Sequence, residues 1–377
     1  MIFDSHALRA TVNGVAATPN SHALRATVNG VAATPPDRFN KFPGPRGQSG
    51  VALIIALILV ALATILATKL TFDGFLERRR TIGVLAAEQA LHFGMGAEAL
   101  AADVLMQDMQ NSPTLTTPTG PWAQPTQPLP ITPEDNPEGE PIGTLQGQLE
   151  DMQGRFNLNN LGLLIPGTGP QGTATAFIQD PEALAQFQRL LMIVGLEQKW
   201  AGMARDWIDA DDIPGSPDGA EDQVYTSQTP PYHTGNWPMM SPTELMNLPG
   251  FGADRYRKIA PYVTALPTSA RGPTPINICT APAQVLESMA PNLGEYTPEV
   301  LANGRKSGCF PDQTSFTNIL GKSAGNLRLR YGTASQYFRL TTRVTLGTTE
   351  FTLYSLLKRG DRDGGKVTPL LRSFGTP

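Results

Sequence analysis

The chain has few of the residues that usually carry chemistry. Among its 377 residues are two cysteines, Cys279 and Cys309, and four histidines, and only 16% of the residues are charged. Two cysteines are too few for a disulfide scaffold, and the sequence leaves open whether they pair or remain buried thiols. No H-E-x-x-H, Walker A or C-x-x-C motif occurs, so we expect no enzyme activity. The formal net charge of −4 argues against a protein that coats nucleic acid, and no nucleic-acid partner is expected.

Charge is absent altogether from residues 51–68, VALIIALILVALATILAT. Eighteen helical residues span about 27 Å, close to the roughly 30 Å of a bilayer core. A buried core helix of this length would show a polar face, and this segment shows none. It therefore predicts a single transmembrane helix. Because Arg38, Lys41 and Arg46 precede it, the positive-inside rule keeps the leader cytoplasmic and puts the rest of the chain on the other side of the membrane.

A small residue, Gly50, stands directly before this apolar run. A secretory signal peptide instead has a shorter apolar region with its cleavage site after it. The arrangement resembles type IV pilin and pseudopilin precursors, which prepilin peptidase cuts after such a glycine, so the mature chain would begin at Val51. Those proteins usually have Glu at the fifth mature position, where it is thought to neutralise the α-amino charge of the subunit above. Here that position is Ile55, so the resemblance implies a tip subunit with nothing above it.

The leader contains an exact duplication. Residues 5–19 and 21–35 are identical and are joined by Asn20. Structural repeats diverge and usually number three or more. We interpret the duplication as a recent tandem repeat in a leader, residues 1–50, that is absent from the mature protein.

The remaining periodicity predicts a helix, then strands, a helical block and strands again. Residues 77–110 continue the first helix, with an apolar stripe suited to packing on a sheet. The stripe consists of Leu91, Met95, Ala99, Ala102 and Met106, and Pro113 ends the helix. Residues 143–149 read as a strand, and alternation in 337–346 and 351–358 predicts a hairpin with its turn at 347–349. This order indicates an α+β domain with a helical domain inserted into it.

The helical block opens at residues 181–207, with Asp180 as N-cap before Pro181. Shorter helices are predicted at 241–247, 253–260, 281–289 and 298–303.

Carboxylates are concentrated in the Pro/Gly-rich segment 206–222. So many acidic groups repel one another unless a cation lies among them, and hard oxygen ligands favour Ca²⁺. The segment is not an EF-hand, because counting from Asp209 the sixth residue is Pro214 and no Glu stands at the twelfth. A solvated acidic loop with Asp helix caps explains the spacing equally well. A metal-assisted hydrolase would need a base nearby, and the segment itself contains no histidine.

Residues 244–259, ELMNLPGFGADRYRKI, have the pattern of a helix-hairpin-helix with its turn at Gly250 and Gly252. In DNA-binding versions the backbone N–H groups of the hairpin hold a phosphate. Three nearby cations are compatible with this role: Arg255, Arg257 and Lys258. The alternative function is therefore a membrane-tethered, competence-type DNA-binding protein. The acidic net charge, the single copy and the membrane anchor argue against it.

Several segments carry a closer resemblance. They are GRFNLNNL (154–161), FQRLLMIVGL (187–196), DWIDADDIPGSPDGAEDQVY (206–225), PPYHTGNWPMMSPTEL (230–245), PYVTALP (261–267) and PINICTAPAQVL (275–286). In this order they resemble type II secretion system protein K, the large minor pseudopilin of the general secretion pathway. The resemblance runs from Gly50 to about residue 360 and includes the missing acidic fifth residue. The family usually has Asn where this chain has Cys279.

The resemblance implies an α+β pseudopilin fold, in which a long N-terminal transmembrane helix packs on an antiparallel sheet and a large α-helical domain is inserted. The implied bounds are 1–50 for the leader, 51–68 for the transmembrane part and 69–112 for the periplasmic part of the helix, 113–180 with 330–360 for the α+β domain, 181–329 for the inserted helical domain, and 361–377 for a flexible tail.

It also implies a structural calcium site in the inserted domain. The expected ligands are Asp209, Asp211, Asp218, Glu221 and Asp222, with Asp206 and Asp212 as second choices. The implied partners are prepilin peptidase, the inner membrane and the minor pseudopilins I, J and H of the same system. The implied function is to cap the tip of the periplasmic pseudopilus and so support protein export across the outer membrane.

Overall fold

The longest element of the fold is one helix, α1 (Ser49–Asn111). Its most apolar 18-residue window has a mean hydropathy of 3.0, and none of that window is buried within the protein. The helix is long and apolar enough to cross a membrane. Both threonines of the apolar run satisfy their hydroxyls inside the helix, since Thr64 donates to the carbonyl of Val60 at 2.7 Å and Thr68 to that of Thr64 at 2.8 Å. The predicted apolar helix and its continuation past residue 77 are confirmed.

The computed structural model describes residues 49–133, 136–166, 175–267, 272–291, 304–305, 308–310, 313–320, 327, 330–360 and 365–374. It divides the chain into two compact units, 1–70 and 71–377. The duplicated leader and the predicted helix at 298–303 lie outside the described residues.

The second unit combines short helices with a main sheet and three small strand pairs. After α1 the helices are α2 (Pro181–Ile193), α3 (Lys199–Ile208), α4 (Asp222–Tyr225), α5 (Gly252–Ile259), α6 (Ala283–Ser288) and α7 (Gln313–Leu320). The strands are β1 (Leu129–Ile131), β2 (Gly143–Asp151), β3 (Phe156–Asn157), β4 (Gly162–Pro166), β5 (Thr175–Gln179), β6 (Val263–Thr264), β7 (Ile276–Asn277), β8 (Tyr331–Gly332), β9 (Tyr337–Leu346), β10 (Thr349–Lys358) and β11 (Thr368–Phe374). Short 3-10 helices occur at Pro121–Ala123, Met152–Gly154, Leu158–Leu161, Pro242–Asn247 and Ala260–Tyr262.

The main sheet is antiparallel, with the strand order β1-β2-β9-β10-β11. β9 and β10 form the predicted hairpin, in which Leu346 pairs with Thr349 and leaves a two-residue loop. Gly347 in that loop has φ +55°, a left-handed conformation that tight hairpins need and that glycine adopts without strain. β2 pairs along β9, so the sheet joins parts of the chain that lie on either side of the helical block.

The predicted flexible tail, 361–377, contains a strand within its described residues, 365–374. Its residues 368–374 form β11, which pairs with β10 from Leu353 opposite Phe374 to Lys358 opposite Thr368. Arg372 also ties this strand to α1, since its Nη2 lies 2.7 Å from an Oε of Glu98. The prediction was wrong because the Gly- and Asp-rich sequence before the strand is typical of a loose chain end, and a seven-residue strand gives little periodicity against it.

Helix α1 packs on the sheet through a face different from the predicted stripe. Met95 of that stripe is 42% exposed, and Ala99 is exposed as well. The face that is buried consists of Ala90, Gly94, Ala97, Glu98, Ala101, Leu105, Asp108 and Met109. The prediction was wrong because it followed apolar residues alone, whereas the true face includes two carboxylates and a glycine. A Cβ at Gly94 would lie 2.9 Å from Leu353 Cδ2, so this glycine lets the helix approach β10 closely.

Both carboxylates of this face are paired. Glu98 accepts hydrogen bonds from Ser355 and Arg372, and Asp108 accepts one from Arg359 Nη1 at 3.0 Å. Burial raises the pKa of Asp108, and the Arg359 guanidinium acts in the opposite direction. Removing either partner would leave a buried charge without compensation, so these pairs help to fix the register of α1 on the sheet.

The helical block has its own core, which begins before the predicted boundary at residue 181. Phe156 stacks on Phe187 of α2 with ring centroids 5.3 Å apart, and Leu158 and Leu161 belong to the same buried cluster. The chain therefore enters this core near residue 156. Asp180 caps α2 as predicted, since its Oδ1 accepts from the backbone N of Glu182 and of Ala183.

The predicted helix over 181–207 is two helices, α2 and α3. They are separated at Gly195, whose φ is +72°. The predicted helices at 241–247, 253–260 and 281–289 are confirmed. The first of them is a 3-10 helix with a capping box formed by Ser241 and Glu244.

One buried carboxyl joins the helical block to the sheet, and one disulfide cross-links two residues of the block's own core. Asp151, at the end of β2, accepts hydrogen bonds from Asn277, Thr280 and Ser335 at 2.9, 2.6 and 2.6 Å. Burial raises the pKa of this carboxyl, and those donors oppose the rise. The two cysteines, both buried, form the disulfide Cys279–Cys309, which settles the question that the sequence left open.

Candidate metal centre

The acidic segment folds around Asp206. Arg205 and Asp206 lie on the last turn of α3, and Nε and Nη2 of Arg205 donate to Asp206 Oδ1 at 3.0 and 2.9 Å. The other carboxylate oxygen, Oδ2, accepts from the backbone N of Gly215 at 2.8 Å. A Cβ at Gly219 would lie 2.2 Å from Asp206 Oδ2, so only glycine allows the loop to pass this carboxylate so closely. The Pro/Gly-rich composition of the segment thus allows the loop to wind closely around one buried side chain, Asp206.

Three carboxylates meet in this wrap: Asp206, Asp209 and Glu221. One oxygen from each lies within 4.8 Å of the others. All three side chains are buried, with 0, 1 and 2% of their surface exposed. Asp209 Oδ1 and both Glu221 oxygens have no hydrogen-bond donor among the described residues. Buried carboxylate oxygens without donors are costly, and a bound cation is one way in which proteins compensate for them.

The electrostatics of the cluster point the same way. Burial and the neighbouring Asp206 and Asp211 raise the pKa of Asp209 to about 7. Burial, followed by Asp209 and Asp206, raises the pKa of Glu221 to about 8. Arg205 is the partner of Asp206, so three carboxylates face one guanidinium. The donor set is made of hard oxygens, the class that Ca²⁺ and Mg²⁺ take, and three carboxylates can supply up to six of them.

The structure brings together two of the five predicted ligands, Asp209 and Glu221, and adds the second choice Asp206. The other carboxylates are engaged or turned elsewhere. Asp222 bonds His233 Nδ1 at 2.6 Å and accepts from the backbone N and hydroxyl of Thr234, each at 2.9 Å. The His233 hydrogen bond and those from Thr234 lower the pKa of Asp222 to about 2.

The remaining three carboxylates are exposed. Asp211 accepts from the backbone N of Ile213, Asp212 accepts from Asn236, and Asp218 lies on the outside of the loop with its backbone against Gly202. One sequence signal favours Asp206 over them. Residues 206 and 209 are three apart on one helix end, which puts their side chains side by side.

The predicted helix-hairpin-helix turn is present, and two of its three predicted cations, Arg255 and Arg257, form contacts within the protein. Gly250 and Gly252 have φ of +84° and +70°. Arg255 donates to Glu197 and to the backbone carbonyls of Gly250 and Phe251, and Arg257 pairs with Asp254. Arg255 is thereby held by three partners within the protein, whereas Arg257 pairs only with an exposed neighbour and Lys258 is exposed.

The residues of the predicted cleavage site lie on the first turns of α1. Gly50 is exposed, as are Val51 and Ile55, with 54% and 52% of their surface accessible. No side chain of the protein covers the bond between Gly50 and Val51 in the described part of the chain.

Comparison with known proteins agrees with the fold and covers most of the chain. The family model "Type II secretion system (T2SS), protein K" matches residues 154–268. Type II secretion system protein K of Pseudomonas aeruginosa is 34% identical over 343 residues, covering 88% of this chain and 94% of that protein. The protein of the same name from Pectobacterium carotovorum is 31% identical, covering 87% and 97%.

A solved structure shows the same fold. A chain in the crystal structure of the GspK–GspI–GspJ complex of enterotoxigenic Escherichia coli aligns with a TM-score of 0.64 and 24% identity. The alignment covers 79% of this chain and all of that one. The α+β pseudopilin fold with its long N-terminal helix and antiparallel sheet is thereby confirmed. From the extent and identity of these matches, the chain belongs to the type II secretion system protein K family, whose members are minor pseudopilins, structural components of that secretion system.

Proposed function

We propose that prepilin peptidase cuts this chain between Gly50 and Val51, and that the product is anchored in the inner membrane by residues 51–68 with its C-terminal part in the periplasm. The observation that carries the proposal is the pairing of Gly50 with an uncharged helical run that follows it at once. The buried Cys279–Cys309 disulfide supports the orientation, because structural disulfides persist in oxidising compartments such as the periplasm.

We further propose that the mature chain caps the pseudopilus tip together with the minor pseudopilins I and J, and with H. Ile55 supports a position with no subunit above it, since the acidic residue that would neutralise a neighbour's α-amino group is missing. The related chain of the solved complex was crystallised with GspI and GspJ. The helical block inserted between β2 and β9 adds bulk that would oppose addition of another subunit.

An exposed stripe on α1 supports helix bundling with these partners. Phe72, Phe75, Leu76 and Ile82 recur at helical spacing, and between 36 and 59% of the surface of each is exposed. Apolar side chains in such a row on the outside of a helix are typical of a packing interface. The role is one of assembly rather than catalysis.

The metal centre would hold a structural calcium ion in this proposal. Asp206, Asp209 and Glu221 would hold it, and the ion would supply the positive charge that their unpartnered oxygens need. The ion would clamp the long loop between α3 and α4. The contacts that hold Arg255 to Glu197 and to the hairpin carbonyls, together with the acidic net charge, favour this account over the DNA-binding alternative.

Reconstitution tests the tip assembly. The full chain, in detergent, is mixed with pseudopilins I and J of the same system and analysed by size-exclusion chromatography with light scattering. We expect a complex that contains all three, lost or weakened by Ile82→Gln and kept by Thr81→Gln, which alters the opposite side of α1. Failure to assemble with either pseudopilin, together with retention of a labelled DNA duplex in a gel shift, would contradict the proposal and favour the alternative.

A further inference from the structure

The sheet has a second face, turned away from α1, that borders a large cleft. Phe338 and Leu340 of β9 pack toward α1, so Arg339 between them points to the other side. A cleft of about 610 Å³ lies there between the sheet and the helical block. Arg339, Tyr354 and Leu371 line its sheet side, and Arg155, Thr243 and Tyr256 line the opposite wall. Its volume falls within the range of binding sites for small ligands and short peptide segments.

The cleft carries more positive than negative charge. Glu150 pairs with Arg155 through one carboxylate oxygen and with Arg339 through the other, the latter at 2.6 Å. Two guanidiniums therefore share one carboxylate. Burial lowers the pKa of Arg155, Glu150 opposes this shift, and the like charge of Arg339 adds to it. Burial raises the pKa of the Tyr256 hydroxyl, and both arginines oppose that rise.

One hydrogen-bond donor of this cluster has no acceptor. The Nε of Arg339 is buried and has no partner among the described residues. A buried donor left without an acceptor is costly, and a charged donor more so. This N–H is closed to solvent, but the Arg339 and Arg155 side chains keep 24% and 15% of their surface exposed. An incoming carboxylate would bind that exposed part and balance the positive charge that Glu150 alone leaves there, and guanidinium groups bind carboxylates especially well because both are planar.

The walls indicate that the carboxylate belongs to a peptide. Leu356 and Leu371 add apolar surface beside the arginines. β11 borders the cleft, and in the described part of the chain it pairs with β10 alone. The cleft therefore runs over the face of β9, β10 and β11, about 10 Å across at the usual strand spacing, which gives room for an extended segment rather than for a single small ion.

We propose that this cleft is a docking site for an acidic, extended segment of a partner protein, whose Glu or Asp carboxylate binds Arg339 and Arg155. The site is separate from the metal centre and from the exposed stripe of α1. It would give the subunit a third, charge-selective contact surface.

Fluorescence anisotropy tests the proposal with the full chain in detergent. The probe is a fluorescein-labelled, end-blocked peptide of valine and serine with one central glutamate, and its match has glutamine there. We expect the glutamine peptide to bind about tenfold or more weakly, because a desolvated charge pair is lost. Arg339→Gln should lower the affinity for the glutamate peptide by a similar factor. Glu150→Gln should tighten binding, since it removes the carboxylate that competes for the same guanidiniums.

A matched control lies on the same strand and face. Arg343 pairs with Glu350 at 2.8 Å in an exposed position, and Arg343→Gln should leave peptide affinity unchanged. Equal affinity for the two peptides, or a loss of binding with Glu150→Gln, would overturn the proposal. Displacement of the peptide by acetate or inorganic phosphate at concentrations similar to its own would show a small-anion site and overturn the peptide assignment. If thermal melting shows that Arg339→Gln is unfolded, the peptide pair and Glu150→Gln decide the outcome.

Discussion

Neutralising Glu221 should have opposite effects on stability with and without calcium. In the buried cluster its carboxylate lies within 4.8 Å of oxygens of Asp206 and Asp209. Two full charges at that distance repel by about 3 kcal/mol at an effective dielectric constant near 20. Arg205 offsets part of this repulsion, and proton uptake by Glu221 limits it further. Glu221→Gln should therefore stabilise the calcium-free protein by roughly 1–3 kcal/mol, or about 2–8 °C in Tm.

Saturating calcium should reverse that order. A ligand present at 1,000 times its Kd stabilises the folded state by about 4.1 kcal/mol, which exceeds the roughly 1–3 kcal/mol by which the variant leads without calcium, and the variant loses most of this gain because one ligand is missing. Thermal unfolding of the full chain at pH 8, in EGTA or in excess calcium, measures both effects. Asp222→Asn is the matched control, because His233 and Thr234 hold its carboxylate outside the cluster and the calcium shift should persist.

Two results would refute this reasoning. One is a Glu221→Gln variant that is destabilised equally in both conditions, which would make Glu221 an ordinary buried side chain. The other is a parent protein whose Tm does not respond to calcium. Loss of the calcium shift in Asp222→Asn would instead restore Asp222 as a ligand, as the sequence predicts.

Three further predictions concern pH, a buried ion pair and the disulfide. In the folded protein the pKa values of Asp209 and Glu221 are about 7 and 8, above their ordinary values of 3.8 and 4.5. The stability of the calcium-free protein should therefore fall as pH rises from about 4 to 8, and bound calcium should reduce this pH dependence in thermal melts over the same range. Asp108→Ala should lower the free energy of unfolding, measured with denaturant, by about 3–5 kcal/mol because it leaves the buried Arg359 guanidinium without its carboxylate. Arg343→Ala breaks an exposed pair and should lower it by at most about 1 kcal/mol, so equal losses would contradict the difference. Cys309→Ser removes the disulfide, which links cysteines with a sequence separation of 30, and should lower the free energy of unfolding by about 4 kcal/mol in the same assay. An unchanged denaturation midpoint would show that the disulfide adds no stability.

Local sequence chemistry predicts the elements of this fold well where the signal is short-range. The apolar run of α1, the Asp180 cap and the Gly347 hairpin each depend on a few neighbouring residues, and each prediction is confirmed. The buried face of α1 was missed because Glu98 and Asp108 are charged residues of the kind that usually face solvent. Their arginine partners lie more than 250 positions later in the sequence, where no local pattern reveals them. Strand β11 was missed because its pairing with β10 is tertiary.

The site shows the same limit. The acidic segment is visible from composition, but the choice among its carboxylates depends on where the loop passes, which Gly215 and Gly219 determine through their close approach to Arg205 and Asp206. Asp222 leaves the cluster because His233, eleven residues later, takes its carboxylate. The cleft beside Arg339 had no sequence signal, since Glu150, Arg155 and Arg339 come together only when β2 pairs with β9.

The N-terminus of the protein recovered from membranes shows whether the chain is processed as a pseudopilin. The full chain is produced with and without prepilin peptidase, and its mass and N-terminal sequence are determined. The account predicts a mature chain that begins at Val51 and appears only when the peptidase is present. A chain that retains residues before Gly50 under both conditions would contradict it, and would remove this protein from the pseudopilus.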